Sequence, residues 1–326
     1  MGLMRLFPTV LVSLGLWGCG QSSGPSVNTP AQPAAPASAA ASKVEVGLVM
    51  KTLTNPFFVE MEKGARRAEK ELGVNLTVKT AAQETSIEQQ IQLVEDLIAA
   101  RVNAIVIAPG DSQRLIPSLK KAADAGIKIV NIDNRLDPQG LQQAGMQAVP
   151  FVGVDNEAGA YKAGKYLGEG ITQPTQAAIL EGIRSADNAR QRTQGAQRGL
   201  LENKHIKVVA SETANWKIDE AYEVTKLMFG KYPNIKLLFA ANDVMAIGAI
   251  KYLTERGNAA VKVVGYDALS EAITEIRAGK MAATIDQQAA EQGYQGVALA
   301  QKLVRLEPVA PVTTIDTRLI TASTAP

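Results

Sequence analysis

The sequence predicts an α/β fold of two similar lobes, each a parallel sheet sandwiched by helices. Two observations predict this class. From Val44 onward, short apolar runs alternate with amphipathic helical stretches, and after Asp155 the same alternation starts again. Alternating strands and helices form βαβ units, which build a mostly parallel sheet with helices on both faces. With 326 residues, the chain is long enough for two such lobes.

The first lobe begins with a junction between a strand and a helix. Asn55 suits the residue that caps a helix, and Pro56 suits its first turn, where a missing N–H costs nothing. Gly73 and Gly126 stand just past two helical patterns, where a left-handed residue is needed. The predicted strands are 44–50, 75–80, 104–108, 127–132 and 151–154, and the predicted helices are 57–72, 87–100 and 115–125.

The second lobe repeats this order and is followed by one more helix and one strand-like stretch. Its facing edge and that of the first lobe form a cleft, and such a cleft is a preferred place for a small ligand. The predicted strands are 177–180, 206–211, 236–240, 261–266 and 282–285; the predicted helices are 157–168, 189–202, 219–230, 244–256 and 270–278; the last two elements are 290–306 and 312–320.

The N-terminal segment is predicted to be a targeting signal. Arg5 is the only charged residue before Lys43, and the apolar run in 1–18 is shorter than the roughly 20 residues of a membrane span. Leu16-Trp17-Gly18-Cys19 resembles the bacterial lipobox, which predicts a lipid on Cys19; an ordinary signal cleaved nearby is the alternative. Residues 19–42, rich in Ala, Pro and Ser, then form a tether. This order places the body in the periplasm or at the cell surface, lipid-anchored to a membrane.

The composition excludes several classes of function. The net charge is +2, so the chain has no strong attraction to nucleic acid. One histidine and one cysteine rule out a disulfide within the chain and leave little for zinc sites or histidine acid–base chemistry. We therefore expect no metal, no cofactor and no enzyme activity.

Polar and aromatic side chains follow the predicted strands, at the edge where parallel α/β sheets bind ligands. Two adjacent phenylalanines at a helix start cannot both face the core easily, so we expect at least one to form a flat wall of the cleft. Lys51 is expected to be solvated at the cleft edge, and Asn188 is a further candidate. The predicted site residues are Asn55, Phe57, Phe58, Asp133 and Asn134 from the first lobe, and Arg192, Trp216, Asn242, Asp267 and Gln287 from the second.

These residues are suited to binding a neutral polyhydroxy ligand. Hydroxyl groups donate to carboxylates and accept from arginine or amide N–H groups, and the C–H faces of a sugar lie on aromatic rings. With Asp133, Asp267 and Arg192 in the cleft, its charge is −1, whereas an anionic ligand needs a surplus of arginine. The set contains no nucleophile beside a base and no phosphate-binding loop.

The same residues carry a family resemblance over 43–320. The chain resembles the periplasmic sugar-binding proteins of ABC transporters, of the ribose-binding type. The matching stretches, in the family's order and spacing, are TNPFF (54–58), IAPGDS (107–112), NIDN (131–134), VGVDN (152–156), NARQR (188–192), ANW (214–216), FAANDVMAIGA (239–249), VVGYDA (263–268) and ATIDQ (283–287).

The resemblance implies a type I periplasmic binding fold with a three-strand hinge. It implies lobes formed by 43–154 with 288–316 and by 155–287 with 317–326. It also implies a monomer that binds a sugar by hinge closure and delivers it to a membrane permease. All the predicted site residues except Asn134 match the family's sugar contacts, and Tyr266 lies beside them. Ribose binders have arginine where this chain has Asn134, which argues for a different pentose, a hexose or a sugar alcohol.

Three other functions use this fold or residues of this kind. A sugar-sensing repressor shares this fold but needs a basic DNA-binding segment before the first strand, where this chain has an uncharged tether. A glycoside hydrolase needs a paired acid and base, for which Asp133 and Asp267 are formally available. A sensory protein that reports sugar to a chemoreceptor or kinase is not separated from a transport protein by this sequence.

Overall fold

A computed structural model of the chain describes residues 43–146, 149–258 and 260–326. The predicted signal 1–18, the predicted lipidation site Cys19 and the tether 19–42 lie outside the described residues. None of the described helices is long and apolar enough to cross a membrane.

The apolar runs of the sequence fold as strands of two six-stranded sheets. The described strands are β1 (Glu45–Met50), β2 (Asn75–Thr80), β3 (Ala104–Ile107), β4 (Lys128–Ile132), β5 (Phe151–Val154), β6 (Thr175–Glu181), β7 (Ile206–Thr213), β8 (Ile235–Ala240), β9 (Lys262–Val264), β10 (Ala283–Asp286), β11 (Val312–Ile315) and β12 (Arg318–Thr321). Most are buried along their length, as expected for strands covered on both faces.

The two sheets have the same strand order. The first is β11-β5-β4-β3-β1-β2 and is parallel throughout; the second is β12-β10-β9-β8-β6-β7 and is parallel except for β12, which runs antiparallel to β10. Position by position, β1 therefore corresponds to β6, β3 to β8 and β4 to β9. The predicted fold of two similar α/β lobes is confirmed.

The helices cover the faces of the two sheets. They are α1 (Pro56–Leu72), α2 (Ile87–Ala99), α3 (Ile116–Asp124), α4 (Pro138–Gln143), α5 (Asn156–Leu167), α6 (Asp187–Leu201), α7 (Ile218–Lys231), α8 (Asp243–Glu255), α9 (Ser270–Arg277) and α10 (Ala289–Val304). Their bounds lie within a few residues of the predicted ones, and Gly73 and Gly126 have the expected positive φ of 68° and 85°. Only α4 has no counterpart in the prediction, because it is short and buries none of its residues.

The last part of the chain differs from the single strand-like stretch that the sequence pattern alone predicts. The stretch 312–320 is two strands, β11 in the first sheet and β12 in the second, joined through Asp316 and Thr317. The helix α10 packs on α1 of the first lobe, where Gly64 leaves room for the backbone of Ala290. The chain thus passes between the two sheets after β5, after β10 and after β11.

Candidate functional site

A small cavity lies between the two lobes, at the carboxyl ends of their strands. Residues from both sheets line it, and all of them are buried. The lining residues are Lys51, Asn55, Phe57, Phe58, Glu84, Asp133, Asn188, Arg192, Trp216, Asn242, Asp267 and Gln287. The structure therefore brings together most of the predicted site residues with the further candidate Asn188, and adds Lys51 and Glu84.

The strand–helix junction after β1 positions the aromatic wall of the first lobe. Asn55 caps α1, since its Oδ1 atom accepts from the N–H of Phe57 at 3.0 Å, and Pro56 opens the helix. The rings of Phe57 and Phe58 pack edge to face, with centroids 5.0 Å apart. Both rings line the cavity.

The first lobe holds a buried ionic cluster. Lys51 Nζ lies 2.9 Å from Asp133 Oδ2 and 3.8 Å from Glu84 Oε2, and Asn55 Nδ2 donates to Glu84 Oε1 at 2.9 Å. Burial raises the pKa of Glu84, and the charge of Lys51 opposes this effect. The side chain of Lys51 is only 3% exposed, so the expectation that it is solvated is wrong.

The sequence does not reveal that Lys51 is buried, because a lysine just past a strand is usually a solvated edge residue. The carboxylates that pair with it come from two other loops. Glu84 lies between β2 and α2, and Asp133 follows β4. A signal lies in the position of Lys51, one residue after a strand that is buried from Val46 to Met50 and four residues before the cap of α1.

In the second lobe, Arg192 provides the buried cation. Its Nε donates to Asn156 Oδ1 at 2.8 Å, and its Nη1 donates to the carbonyl of Ala241 at 2.9 Å and lies 3.6 Å from Asp267 Oδ1. Its guanidinium group also lies over the ring of Tyr266, 3.9 Å from the centroid. Burial raises the pKa of Asp267, and the charge of Arg192 opposes this effect.

Three of the lining residues have a backbone conformation that L-residues rarely adopt. The φ angles are 62° at Asp133, 66° at Trp216 and 124° at Asp267. The two aspartates follow the corresponding strands β4 and β9, and the N–H of each donates to a carbonyl of the neighbouring strand, Val152 and Ile285. Such strained residues cluster at functional sites, where the surrounding structure holds them.

The ring of Trp216 rests on a glycine of the second lobe. A Cβ atom at Gly182 would come within 2.0 Å of the indole ring, so only glycine leaves space for the tryptophan at this place. The ring also lies 6.0 Å from Lys51 Nζ and 5.6 Å from the guanidinium carbon of Arg192, measured to its centroid.

Two predicted site residues lie outside the lining of the cavity. Asn134 is fully buried, donates from Nδ2 to the carbonyl of Pro109 at 3.0 Å, and accepts from the N–H of Asn188 at 3.2 Å. Tyr266 is fully buried behind Arg192 and supports its guanidinium group. Both follow a strand, but their side chains point behind the wall rather than into the cavity, a direction that the sequence does not give.

A buried carboxylate supports the second lobe's wall from behind. Asp243 Oδ2 accepts from the N–H of Leu269 at 2.9 Å, and Oδ1 accepts from the hydroxyl of Thr284 at 2.7 Å. Burial raises the pKa of Asp243 to about 6, and these hydrogen bonds oppose the effect. The neighbouring Asn242 caps α8 by accepting from the N–H of Met245.

The wall combines charge with unused hydrogen-bonding capacity. Lys51 and Arg192 against Glu84, Asp133 and Asp267 leave a formal charge of −1. The buried atoms Asn188 Oδ1 and Trp216 Nε1 have no hydrogen-bond partner among the described residues. Buried polar groups normally have partners, so these atoms indicate that a polar ligand completes the site.

Comparison with known proteins assigns this architecture to a family. Residues 46–308 match the model of the periplasmic binding protein domain. A D-ribose/D-allose-binding protein of Pseudomonas aeruginosa is 42% identical over 80% of this chain and 82% of its own length. A D-allose-binding periplasmic protein of Escherichia coli is 33% identical over 85% of this chain and 92% of its own length.

A solved structure agrees with these relatives. An ABC transporter periplasmic solute binding protein from Actinobacillus succinogenes, with bound D-allose, has a TM-score of 0.82 and 40% identity, and the match covers 87% of this chain and 99% of that one. These relatives are solute-binding proteins and not enzymes. The chain belongs to the periplasmic binding protein family, and within it to the type represented by the ribose- and allose-binding proteins of ABC transporters.

Proposed function

We propose that this protein captures a neutral aldose of the D-ribose and D-allose class between its lobes and delivers it to an ABC transporter permease. The observation that carries the proposal is a single cavity whose wall alternates carboxylates, amides and two buried cations with aromatic rings from both lobes. Hydroxyl groups both donate and accept, so a sugar matches a wall that presents acceptors and donors together.

The two sugars are stereochemically related. D-Allose has the configuration of D-ribose at carbons 2, 3 and 4. In the six-membered ring form it differs from D-ribose by a hydroxymethyl group on carbon 5. A site for both sugars recognises the three shared hydroxyl groups. Asn134 stands where ribose binders have arginine. This difference does not argue against ribose, because the side chain of Asn134 lies outside the cavity lining.

Closure of the cleft is coupled to binding in this proposal. In a closed but empty cleft, Asn188 Oδ1 and Trp216 Nε1 are buried without partners, and each such group costs about 1–3 kcal/mol. Sugar hydroxyl groups remove this penalty, so the ligand favours the closed form. The closure bends the three connections near 154–155, 287–288 and 316–317, which divide the chain into the two lobes given above.

The partners follow from the same proposal. The closed form presents both lobes to the permease, and the protein acts as a monomer held to a membrane by a lipid on Cys19. The relatives favour transport over sensing, because the solved neighbour is described as an ABC transporter protein.

The test is calorimetric titration of the protein with D-ribose, D-allose and their carbon-3 epimers, D-xylose and D-glucose. We expect D-ribose and D-allose to bind, and each epimer to bind at least a hundredfold more weakly, because one buried partner is left unpaired. An Asp267→Ala variant should abolish binding, whereas Asp219→Ala, at an exposed helix start, should not. Binding of a sugar acid or an amine instead would refute the neutral-sugar proposal.

A further inference from the structure

Helix α6 carries two lining residues of the cavity, Asn188 and Arg192, yet it begins without a cap of its own. The residue at its cap position is Ala186, whose side chain has no hydrogen-bonding atom. In the first lobe, the helix after the corresponding strand is α1, and there Asn55 provides the cap. The first N–H groups of a helix need acceptors when they are buried.

The first lobe supplies the acceptors that α6 lacks. Ser112 Oγ accepts from the N–H of Asp187 at 2.9 Å, and Asn134 Oδ1 accepts from the N–H of Asn188 at 3.2 Å. The N–H of Ser112 also donates to the carbonyl of Ser185 at 3.3 Å. These bonds join residues that are 54 to 75 positions apart in the sequence and belong to different lobes.

Both acceptors are held in place within their own lobe. Asn134 donates from Nδ2 to the carbonyl of Pro109 at 3.0 Å, and its own carbonyl accepts from Asn131 Nδ2 at 2.8 Å. The carbonyl of Ser112 accepts from the N–H of Asp137 at 2.8 Å. Ser112 is 1% exposed and Asn134 is 0% exposed, so water is excluded from the contact.

We propose that Ser112 and Asn134 form an interlobe cap, which closes onto the N-terminus of α6 and positions Asn188 and Arg192 for the ligand. The bonds exist only when the lobes are together, because each one crosses between the sheets. The cap therefore stabilises the closed form without touching the ligand. It also assigns a role to Asn134, whose side chain does not line the cavity.

The interlobe cap has a predicted effect on affinity, which rests on the proposed function. A ligand that binds the closed form loses apparent affinity in proportion to the closed fraction. Removing one side-chain cap weakens a helix start enough to change an equilibrium about fivefold. We expect Ser112→Ala and Asn134→Ala each to bind D-ribose or D-allose about fivefold more weakly, through faster dissociation, and the double variant about twentyfold more weakly.

A second readout does not depend on the ligand's identity. Hydrogen exchange of the full chain, read on peptides that span 185–190, reports the N–H groups of Asp187 and Asn188 directly. We expect faster exchange in both variants than in the wild type. The matched control is Asp219→Ala, at the exposed first turn of α7 in the second lobe, which should leave exchange at 185–190 and sugar affinity unchanged.

The outcomes separate the two proposals. Equal exchange at 185–190 in wild type and variants, with and without sugar, would overturn the interlobe cap. If neither sugar binds the wild type, the proposed function fails, and the exchange of the sugar-free chain alone decides the interlobe cap. Faster exchange in the variants with unchanged sugar affinity would show that the contact is structural and does not position the site.

Discussion

Asp133 and Asp267 hold corresponding places in the two lobes, but the cations that accompany them differ in kind. Lys51 lies 2.9 Å from Asp133, and its charged atom also faces Glu84 and the rings of Phe58 and Trp216 without a hydrogen bond to a neutral group of the described residues. Arg192 lies 3.6 Å from Asp267 and is held from behind by Asn156, the carbonyl of Ala241 and the ring of Tyr266. The second lobe therefore presents a rigid cation, fixed by hydrogen bonds, and the first lobe a cation held by ion pairs.

The layers behind the two walls differ as well. The first lobe is supported by neutral amides: Gln90 bonds the carbonyl of Ala108 and the N–H of Gly110, and Asn131 bonds the N–H of Leu136. The second lobe is supported by the carboxylate of Asp243. In the first lobe, the charged groups thus line the cavity and neutral amides lie behind them. In the second lobe, a charged group also lies behind the lining. Two lobes with the same strand order therefore differ in their electrostatics.

The largest expected effect is at the rigid cation. Arg192→Met leaves Asp267 buried without its cation and the carbonyl of Ala241 without its donor. Breaking a buried pair from one side costs about 3–5 kcal/mol, so we expect the affinity for D-ribose or D-allose to fall by at least a hundredfold in calorimetric titration. Arg190→Met, on the same helix but exposed and paired with Asp187, is the control that should bind normally. If Arg192→Met kept the affinity of the wild type, the second lobe's cation would not be required for sugar binding.

The second prediction tests the charged support of the second lobe. The pKa of Asp243 is about 6 in the native state, above its ordinary value of 3.8, so the native state binds the proton more tightly than the unfolded state. This effect stabilises the protein most below about pH 4 and is lost as the pH rises through about 6. Relative to Asp243→Asn, the wild type should lose on the order of 2–3 kcal/mol of unfolding free energy between pH 4 and pH 7.

Urea unfolding of both proteins across this pH range measures the difference, in which the titration of all other groups cancels. Asp219→Asn, an exposed carboxylate in the first turn of α7, is the control and should give a flat difference. A flat difference for Asp243→Asn as well would mean that Asp243 has an ordinary pKa, and the contrast between the two support layers would disappear.

The same contrast explains what the sequence can predict. Periodicity and glycines located nearly every strand and helix, because burial on both faces of a sheet leaves a strong signal. Site residues that follow a strand, such as Asp133 and Asp267, were predicted because topology alone brings strand ends together. Lys51 and Glu84 were not, because an ion pair between two loops leaves no periodic signal in either one.

Asn134 shows the opposite failure. Its position after β4 was predicted correctly, but the side chain points to the neighbouring lobe rather than into the cavity. The residue before it, Asp133, has a φ of 62°, which turns the backbone just before Asn134. Of these two adjacent side chains only Asp133 lines the cavity, and no sequence pattern encodes the unusual dihedral angle at Asp133.

The smallest expected effect is at the first lobe's cation, Lys51. Lys51→Met leaves Glu84 and Asp133 near each other without a cation, but the pKa of Glu84 is already raised by burial. One proton taken up by Glu84 therefore replaces most of the lost charge, and the cost depends on pH. We expect an affinity loss of about tenfold at pH 8, which corresponds to about 1.4 kcal/mol, and affinity near the wild type's at pH 5.

A double variant separates charge from shape at this position. Glu84→Gln keeps an oxygen that accepts from Asn55 Nδ2 but removes the unpaired negative charge. Lys51→Met with Glu84→Gln should therefore recover affinity at pH 8 and show little dependence on pH, measured by titration with the same sugar. If the single variant loses affinity equally at pH 5 and pH 8, Lys51 acts as a direct hydrogen-bond donor to the ligand. The first lobe's cation would then be as specifically required as Arg192, and the two walls would differ in residue type but not in rigidity.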